Sequence, residues 1–101
     1  MNVFSDYPEF QRRDARLVML RALHEQSDDT LNETLLLEHL KAFGYRKTKD
    51  FVRTELRVMA DLGAIRLHPA GDFLVAEITQ AGANHVERVT TIEGIARPSR
   101  R

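Results

Sequence analysis

Cysteine is absent from the chain. Disulfides, cysteine-ligated zinc and thiolate chemistry are thereby excluded, and the composition fits a reducing cytoplasm. Long apolar runs are also missing: nothing approaches the roughly 20 residues that a membrane-spanning helix needs, so no membrane partner is expected. The opening MNVFSDYPEF carries acids and a proline where a signal peptide would place basic and then apolar residues. Net charge is lacking as well, because 15 basic and 15 acidic residues cancel, and bulk electrostatics therefore do not mark a nucleic-acid binder. There is no glycine-rich phosphate cradle and no serine, histidine and acid set with a local signature. The chain reads as a non-enzyme without a cofactor.

What is present is enough for one modest core: 101 residues with 43% apolar content leave no room for two domains. The charges, though balanced, are segregated. Between Tyr45 and Arg66 the cations Arg46, Lys47, Lys49, Arg53, Arg57 and Arg66 face only Asp50, Glu55 and Asp61. Between Ala22 and Leu40 the acids Glu25, Asp28, Asp29, Glu33 and Glu38 stand without lysine or arginine. A second basic spot, RPSRR, ends the chain.

Periodicity divides the sequence into elements. Leu17, Leu20 and Leu23, with Met19 beside them, predict an amphipathic helix from Glu9 to Gln26, its arginines Arg12, Arg13, Arg16 and Arg21 on other faces. SDD breaks it, and Thr30 and Leu31 can pair as a very short strand. Asn32 is a good N-cap, and Glu33 complements the positive start of a second helix that reaches Phe43 and stops at Gly44. Leu36, Leu37, Leu40 and Phe43 form its buried stripe, with Leu35 further round. Thr48 caps a third helix from Lys49 to Leu62, whose inner stripe is Val52, Leu56, Met59 and Leu62 and whose end is Gly63.

Past Gly63 the period shortens to two. AIRLH and FLVAEI are strand-like runs around a PAGD turn, with Arg66 and His68 pointing outward. Thr79 caps a small helix, QAGANHVERV, in which Gly82 lowers propensity and so implies close packing. From Thr90 the chain is a tail that is expected to fray when unbound.

The order helix, helix, helix, hairpin, helix resembles the winged helix-turn-helix. TLNETLLLEHLKAFGYRKTKDFVRTELRVMADLGAIRL is similar to the tri-helical part of that family, with LGAI at the passage into the wing, and FLVAEITQAG resembles the returning wing strand and helix start of bacterial winged-helix regulators. The resemblance implies an α+β fold: a three-helix core, a two-stranded wing hairpin and a short C-terminal helix at 12–89, between an N-terminal arm at 1–11 and a basic C-terminal tail at 90–101. The whole pattern, including GIARPS, is also similar to small proteins of Mu-like bacteriophages and prophages that are often labelled ArsR-like regulators.

What this implies is double-stranded DNA binding, in a transcriptional regulator of phage or prophage origin that acts in the host cytoplasm. Arg53 and Arg57 would enter the major groove, Arg46, Lys47 and Lys49 would anchor phosphates near the helix start capped by Thr48, and Arg66 would add support from the wing. Against this stand ordinary surface ion pairs, Asp50 with Arg53 and Asp61 with Arg57. The wing tip HPAGD has no lysine or arginine and is a poor phosphate hook. Asp28, Asp29 and Glu33 would repel a phosphate backbone, and their plain reading is a solvated loop with a capping charge. Metal sensing, which the ArsR label suggests, has no cysteine to support it, and His24, His39, His68 and His85 are scattered.

A different class of function uses the same residues otherwise: a protein-binding adaptor in phage assembly or DNA packaging, engaging a phage protein partner. The candidate partner surface comprises Phe4, Tyr7, Phe10, Leu35, Ile92 and Ile95, and the first four of these equally suit a homodimer. Ile92 and Ile95 can instead dock on the body.

Overall fold

In the computed structural model, which describes residues 3–99 with side chains from residue 8 onward, the order is α1 (Val3–His24), β1 (Thr30–Asn32), α2 (Glu33–Ala42), α3 (Lys49–Asp61), β2 (Ile65–Ala70), β3 (Phe73–Ile78) and α4 (Gln80–Val86). The architecture is α+β. The strands form one antiparallel sheet in the order β1-β3-β2, so the short strand ahead of α2 lies against the returning strand of a wing-like hairpin.

Local chemistry explains the boundaries. The side-chain oxygens of Asn32, Thr48 and Thr79 accept from the backbone N–H of Leu35, Phe51 and Gly82, at 2.9, 3.1 and 3.1 Å, which satisfies one open donor at the start of α2, α3 and α4. Gly63 follows α3 with φ +83°, a left-handed turn that a side chain would strain. The hairpin pairs Ile65 with Ile78 through to Ala70 with Phe73, leaving Gly71 and Asp72 as a two-residue turn. The strands are longer than the expected turn PAGD allowed. Pro69 fits because β2 is an edge strand, where a missing N–H costs no ladder bond.

The core is one cluster. Leu17, Met19, Leu20 and Leu23 of α1 meet Leu36 and Leu40 of α2, Val52, Leu56 and Met59 of α3, and Ile65, Ala76 and Ile78 of the sheet. Gly82 is where α4 closes on it. A Cβ there would lie 2.3 Å from the Ala64 carbonyl oxygen and 2.8 Å from Ile78 Cγ1, so only glycine permits the approach.

Four expectations are corrected. α1 begins at Val3 instead of Glu9 and runs through Pro8. Phe43 is not part of the buried stripe; it is the C-cap of α2 and 62% exposed, and Leu62, the C-cap of α3, is also exposed. Arg16 is not on a solvated face but buried. The tail as far as Ala96 is not frayed: Ile95 is in the core, the Ala96 N–H donates to the Arg13 carbonyl at 3.1 Å, and His85 accepts from the Ile92 N–H at 2.9 Å. A fully buried imidazole thus serves as a clasp for the chain end, its other nitrogen bonding the Ala96 carbonyl at 2.9 Å.

Candidate functional site

The basic face is built around a buried acid. Glu33, the first residue of α2, has no exposed surface and meets α3 and the hairpin at once. Its Oε1 accepts from Arg53 Nε at 2.7 Å and lies 3.4 Å from Lys49 Nζ, while Oε2 accepts from the Leu74 N–H. Arg53 continues outward, its Nη2 donating to the Asp72 carbonyl at 2.7 Å in the hairpin turn. Lys49 stands 5.0 Å over the ring of Phe73, an exposed aromatic beside that turn. One carboxylate therefore ties together the start of α2, the first half of α3 and the tip of the hairpin.

The electrostatics follow from this geometry. Burial pushes the Glu33 carboxyl upward, but the Arg53 hydrogen bond, the Leu74 amide and the charges of Arg53 and Lys49 together outweigh it, and its pKa is held below the usual value. Arg53 in turn is held above its usual value, first by the hydrogen bond to Glu33. The acidic entrance to α2 is thus not a uniform solvated loop. Asp28 is the solvated part, its carboxylate lowered chiefly by accepting the Thr30 N–H at 3.2 Å, whereas Glu33 is withdrawn and paired.

The remaining cations are differently placed. Arg46, Arg57 and Arg66 are exposed and make no ion pair among the described residues. Arg57 lies a helical turn beyond Arg53 on α3, with exposed Thr54 between them in sequence. The expected pairs Asp50 with Arg53 and Asp61 with Arg57 do not form: Arg53 is drawn to Glu33, which offers a dry carboxylate where Asp50 offers a wet one. Lys47 stands 5.0 Å over the Phe51 ring. Lys41, Arg46, Lys47 and Thr48 line an open depression of about 390 Å³ beside the start of α3. Four of the seven basic-face positions, Arg46, Lys47, Thr48 and Lys49, are thus contiguous at that helix start, Arg57 lies beyond, and Arg66 is on the edge strand β2.

Among the described residues, the expected partner surface includes both exposed and buried side chains. Phe10 on α1 and Leu35 on α2 are exposed, whereas Ile95 is buried and Ile92 half-buried against the body. The side chains of Phe4 and Tyr7 lie outside the described residues.

A second buried acid was missed by sequence reasoning. Glu55 of α3 accepts from Arg16 Nε at 2.7 Å and from Arg12 Nε at 3.2 Å, and Arg16 Nη1 also donates to the Gly94 carbonyl at 2.7 Å. This bridge fixes α1, α3 and the tail relative to one another. Its partners are 39 and 43 residues apart, a separation that carries no local signal. No group of three or more histidine or acidic side chains is placed to hold a metal among the described residues. Nor, among them, is any helix long and apolar enough to cross a membrane.

Comparison with known proteins adds a lineage. The chain is 30% identical over 85 residues to a protein of Escherichia phage Mu described as uncharacterized protein gp26, a match covering 84% of this chain and 88% of that one. The chain belongs to the family of Mu gp26. A second member of this set, from Haemophilus influenzae Rd and described as an uncharacterized protein, is 35% identical over 75 residues, covering 73% of this chain and 72% of its own length. No protein-family model matches the chain, and no solved structure matches it significantly. The gp26 relationship supports the expected bacteriophage connection, and neither description names an activity.

Proposed function

We propose that this member of the gp26 family is a winged helix-turn-helix protein of phage or prophage origin that binds double-stranded DNA through α3 and the hairpin, as a transcriptional regulator without metal or cofactor. The observation that carries the reading is the exposed Arg57 on α3, which makes no ion pair among the described residues, together with the depression lined by Lys41, Arg46 and Lys47 beside the start of that helix. The winged-helix part rests on the element order and on β1 pairing with the returning strand β3.

The roles divide according to what each side chain already touches. Arg46 and Lys47 anchor phosphates where the first turn of α3 leaves amide donors. Arg57 and Thr54 meet base edges, since an unpaired guanidinium can give two parallel hydrogen bonds to guanine. Arg53 and Lys49, engaged by Glu33, set the angle between α3 and the hairpin, so that Arg53 is a positioning residue more than a reader. Arg66 on β2 contributes a backbone contact, which compensates for a hairpin tip without cations.

The test is binding of the full chain to its own upstream DNA and to random duplex across a salt series. Binding that prefers the upstream site, weakens with salt and falls at least about tenfold in Arg57→Glu supports the reading. Absence of binding at low salt, or affinity unchanged in a variant combining Arg57→Glu with Arg46→Glu and Lys47→Glu, overturns it. The adaptor reading in phage assembly or packaging is favoured by the zero net charge and by exposed Leu35. It predicts no duplex binding and retention of a phage protein instead.

A further inference from the structure

A pocket at the end of α4 is used neither by the core nor by the basic face. It has a volume of about 260 Å³ and is lined by His85, Arg88, Thr90, Thr91, Arg97 and Pro98, none of which borders the depression beside α3. Two guanidiniums and two hydroxyls thus share one small concave space, and no carboxylate is among the lining groups. Arg88 and Arg97 are exposed and make no ion pair among the described residues, and the side chains of Thr90 and Thr91 make no hydrogen bond among them. Glu87, the acid next to Arg88, is engaged elsewhere, 3.2 Å from His24 Nε2.

The fold brings the lining groups together from two segments, and His85 holds them. Its Nδ1 accepts from the Ile92 N–H and its Nε2 bonds the Ala96 carbonyl, both at 2.9 Å. Arg88, Thr90 and Thr91 lie between His85 and the first contact, and Arg97 and Pro98 follow the second. The clasp therefore closes one lining segment on the other before any ligand arrives.

Arg88 is in an unexpected place for its side chain. It lies at φ +65°, in the left-handed region, as the first residue beyond the C-cap of α4. The same position is Gly44 after α2 and Gly63 after α3. At α4 alone of these three, the chain keeps a guanidinium where glycine would be easier. The helix end is not itself an anion attractor, because its partial charge is negative. Its last carbonyls are taken, however, Asn84 by the Val89 N–H at 2.8 Å and His85 by the Arg88 N–H at 3.1 Å, so the two full positive charges dominate the pocket.

We infer that this pocket binds a small dianionic phosphate, free or as a monoester, clamped between Arg88 and Arg97 with hydrogen bonds from Thr90 and Thr91. Two guanidinium charges match an oxyanion that carries close to two charges above its second pKa of about 6, and each planar fork can grip a pair of its oxygens. A carboxylate or a phosphodiester would offer only one charge. This assignment does not rest on the DNA reading.

The experiment is an amide chemical-shift titration of the isotope-labelled full chain at about pH 7.5 and constant ionic strength, where the monoester is dianionic. The probes are ribose 5-phosphate, inorganic phosphate and dimethyl phosphate, and the variants are Arg88→Gly, Arg97→Ala and, as a control on α1, Arg21→Ala. Saturable shifts at Arg88, Thr90, Thr91 and Arg97 are expected, with a Kd of about 1 mM or tighter for ribose 5-phosphate or inorganic phosphate. Tighter binding of the first marks an ester as the ligand, tighter binding of the second marks free phosphate, and either supports the site.

Dimethyl phosphate, with a single charge, is expected to bind at least about tenfold more weakly. Arg88→Gly relieves the backbone while removing the guanidinium, so its Tm should be kept or raised while affinity falls at least about tenfold. Arg97→Ala should weaken binding similarly, and Arg21→Ala should not. No saturation by about 10 mM, equal affinity for dimethyl phosphate, shifts centred on Arg46 and Lys47, or unchanged affinity in Arg88→Gly each overturns the inference.

Discussion

Replacing Glu33 by alanine tests how the basic face is held. The substitution removes a fully buried carboxylate that receives the Arg53 guanidinium at 2.7 Å, the Lys49 ammonium at 3.4 Å and the Leu74 N–H. Breaking a buried ion pair from one side costs about 3–5 kcal/mol when the stranded charge stays dry, and an unsatisfied buried N–H costs about 1–3 kcal/mol. Here the stranded cations do not stay dry: the side chains of Arg53 and Lys49 retain 31% and 48% exposure and turn to water once released. The lower end therefore applies, and Glu33→Ala is expected to lose about 3 kcal/mol, a large fraction of the total stability of a domain this size.

Urea unfolding followed by circular dichroism reads this as a lower midpoint at unchanged slope, and thermal melting as a Tm lowered by roughly 12–24 °C. Acid gives the same answer in wild type. The Glu33 carboxyl titrates below its usual value in the folded chain, so its stabilising contribution is complete above the unfolded-state pKa and is lost as pH falls through the lower folded one. Glu33→Ala should flatten that acid-side decline. A loss below about 1 kcal/mol, with the acid-side decline intact, would refute the account of Glu33 as the fastening point.

Two further outcomes are expected. Gly82→Ala should destabilise by about 1–3 kcal/mol or more in the same unfolding assay, although alanine favours helix, because its Cβ would sit 2.3 Å from the Ala64 carbonyl oxygen; a neutral or stabilising effect would show that α4 does not close on the β2 start. His85→Ala leaves the Ile92 N–H and the Ala96 carbonyl without their partner, so hydrogen exchange at Ile92 and Ala96 should accelerate at least about tenfold while α3 amides stay protected, and unchanged exchange would contradict the clasp.

Legibility in the sequence followed the range of the interaction. The caps Asn32, Thr48 and Thr79 and the stop at Gly63 were all readable, because each acts within four residues of the group it satisfies. The inner stripes of α1 and α3 were readable for the same reason, since helical spacing alone sorts Leu20, Leu23, Val52 and Leu56 inward. Phe43 was misplaced because a position at a helix end belongs to the stripe by spacing and to the cap by geometry. Arg16 was misplaced and Glu55 missed because each looks like a surface residue until the other arrives from another helix.

The candidate basic residues themselves were visible as a segregated run, and their roles were not. Arg53, Arg57 and Lys49 have the same local claim to DNA, and what separates them is a glutamate 20 residues from Arg53 in the chain. By itself, then, the sequence determined the order of elements, the capped starts of α2, α3 and α4, most of each apolar face and the absence of thiol chemistry, all of which depend on neighbours a few bonds or one helical turn away. Only the tertiary structure decided which charges are occupied and which remain exposed without an ion pair. A buried carboxylate selects its partners by distance and dehydration, and both exist only once α2, α3 and the hairpin have come together.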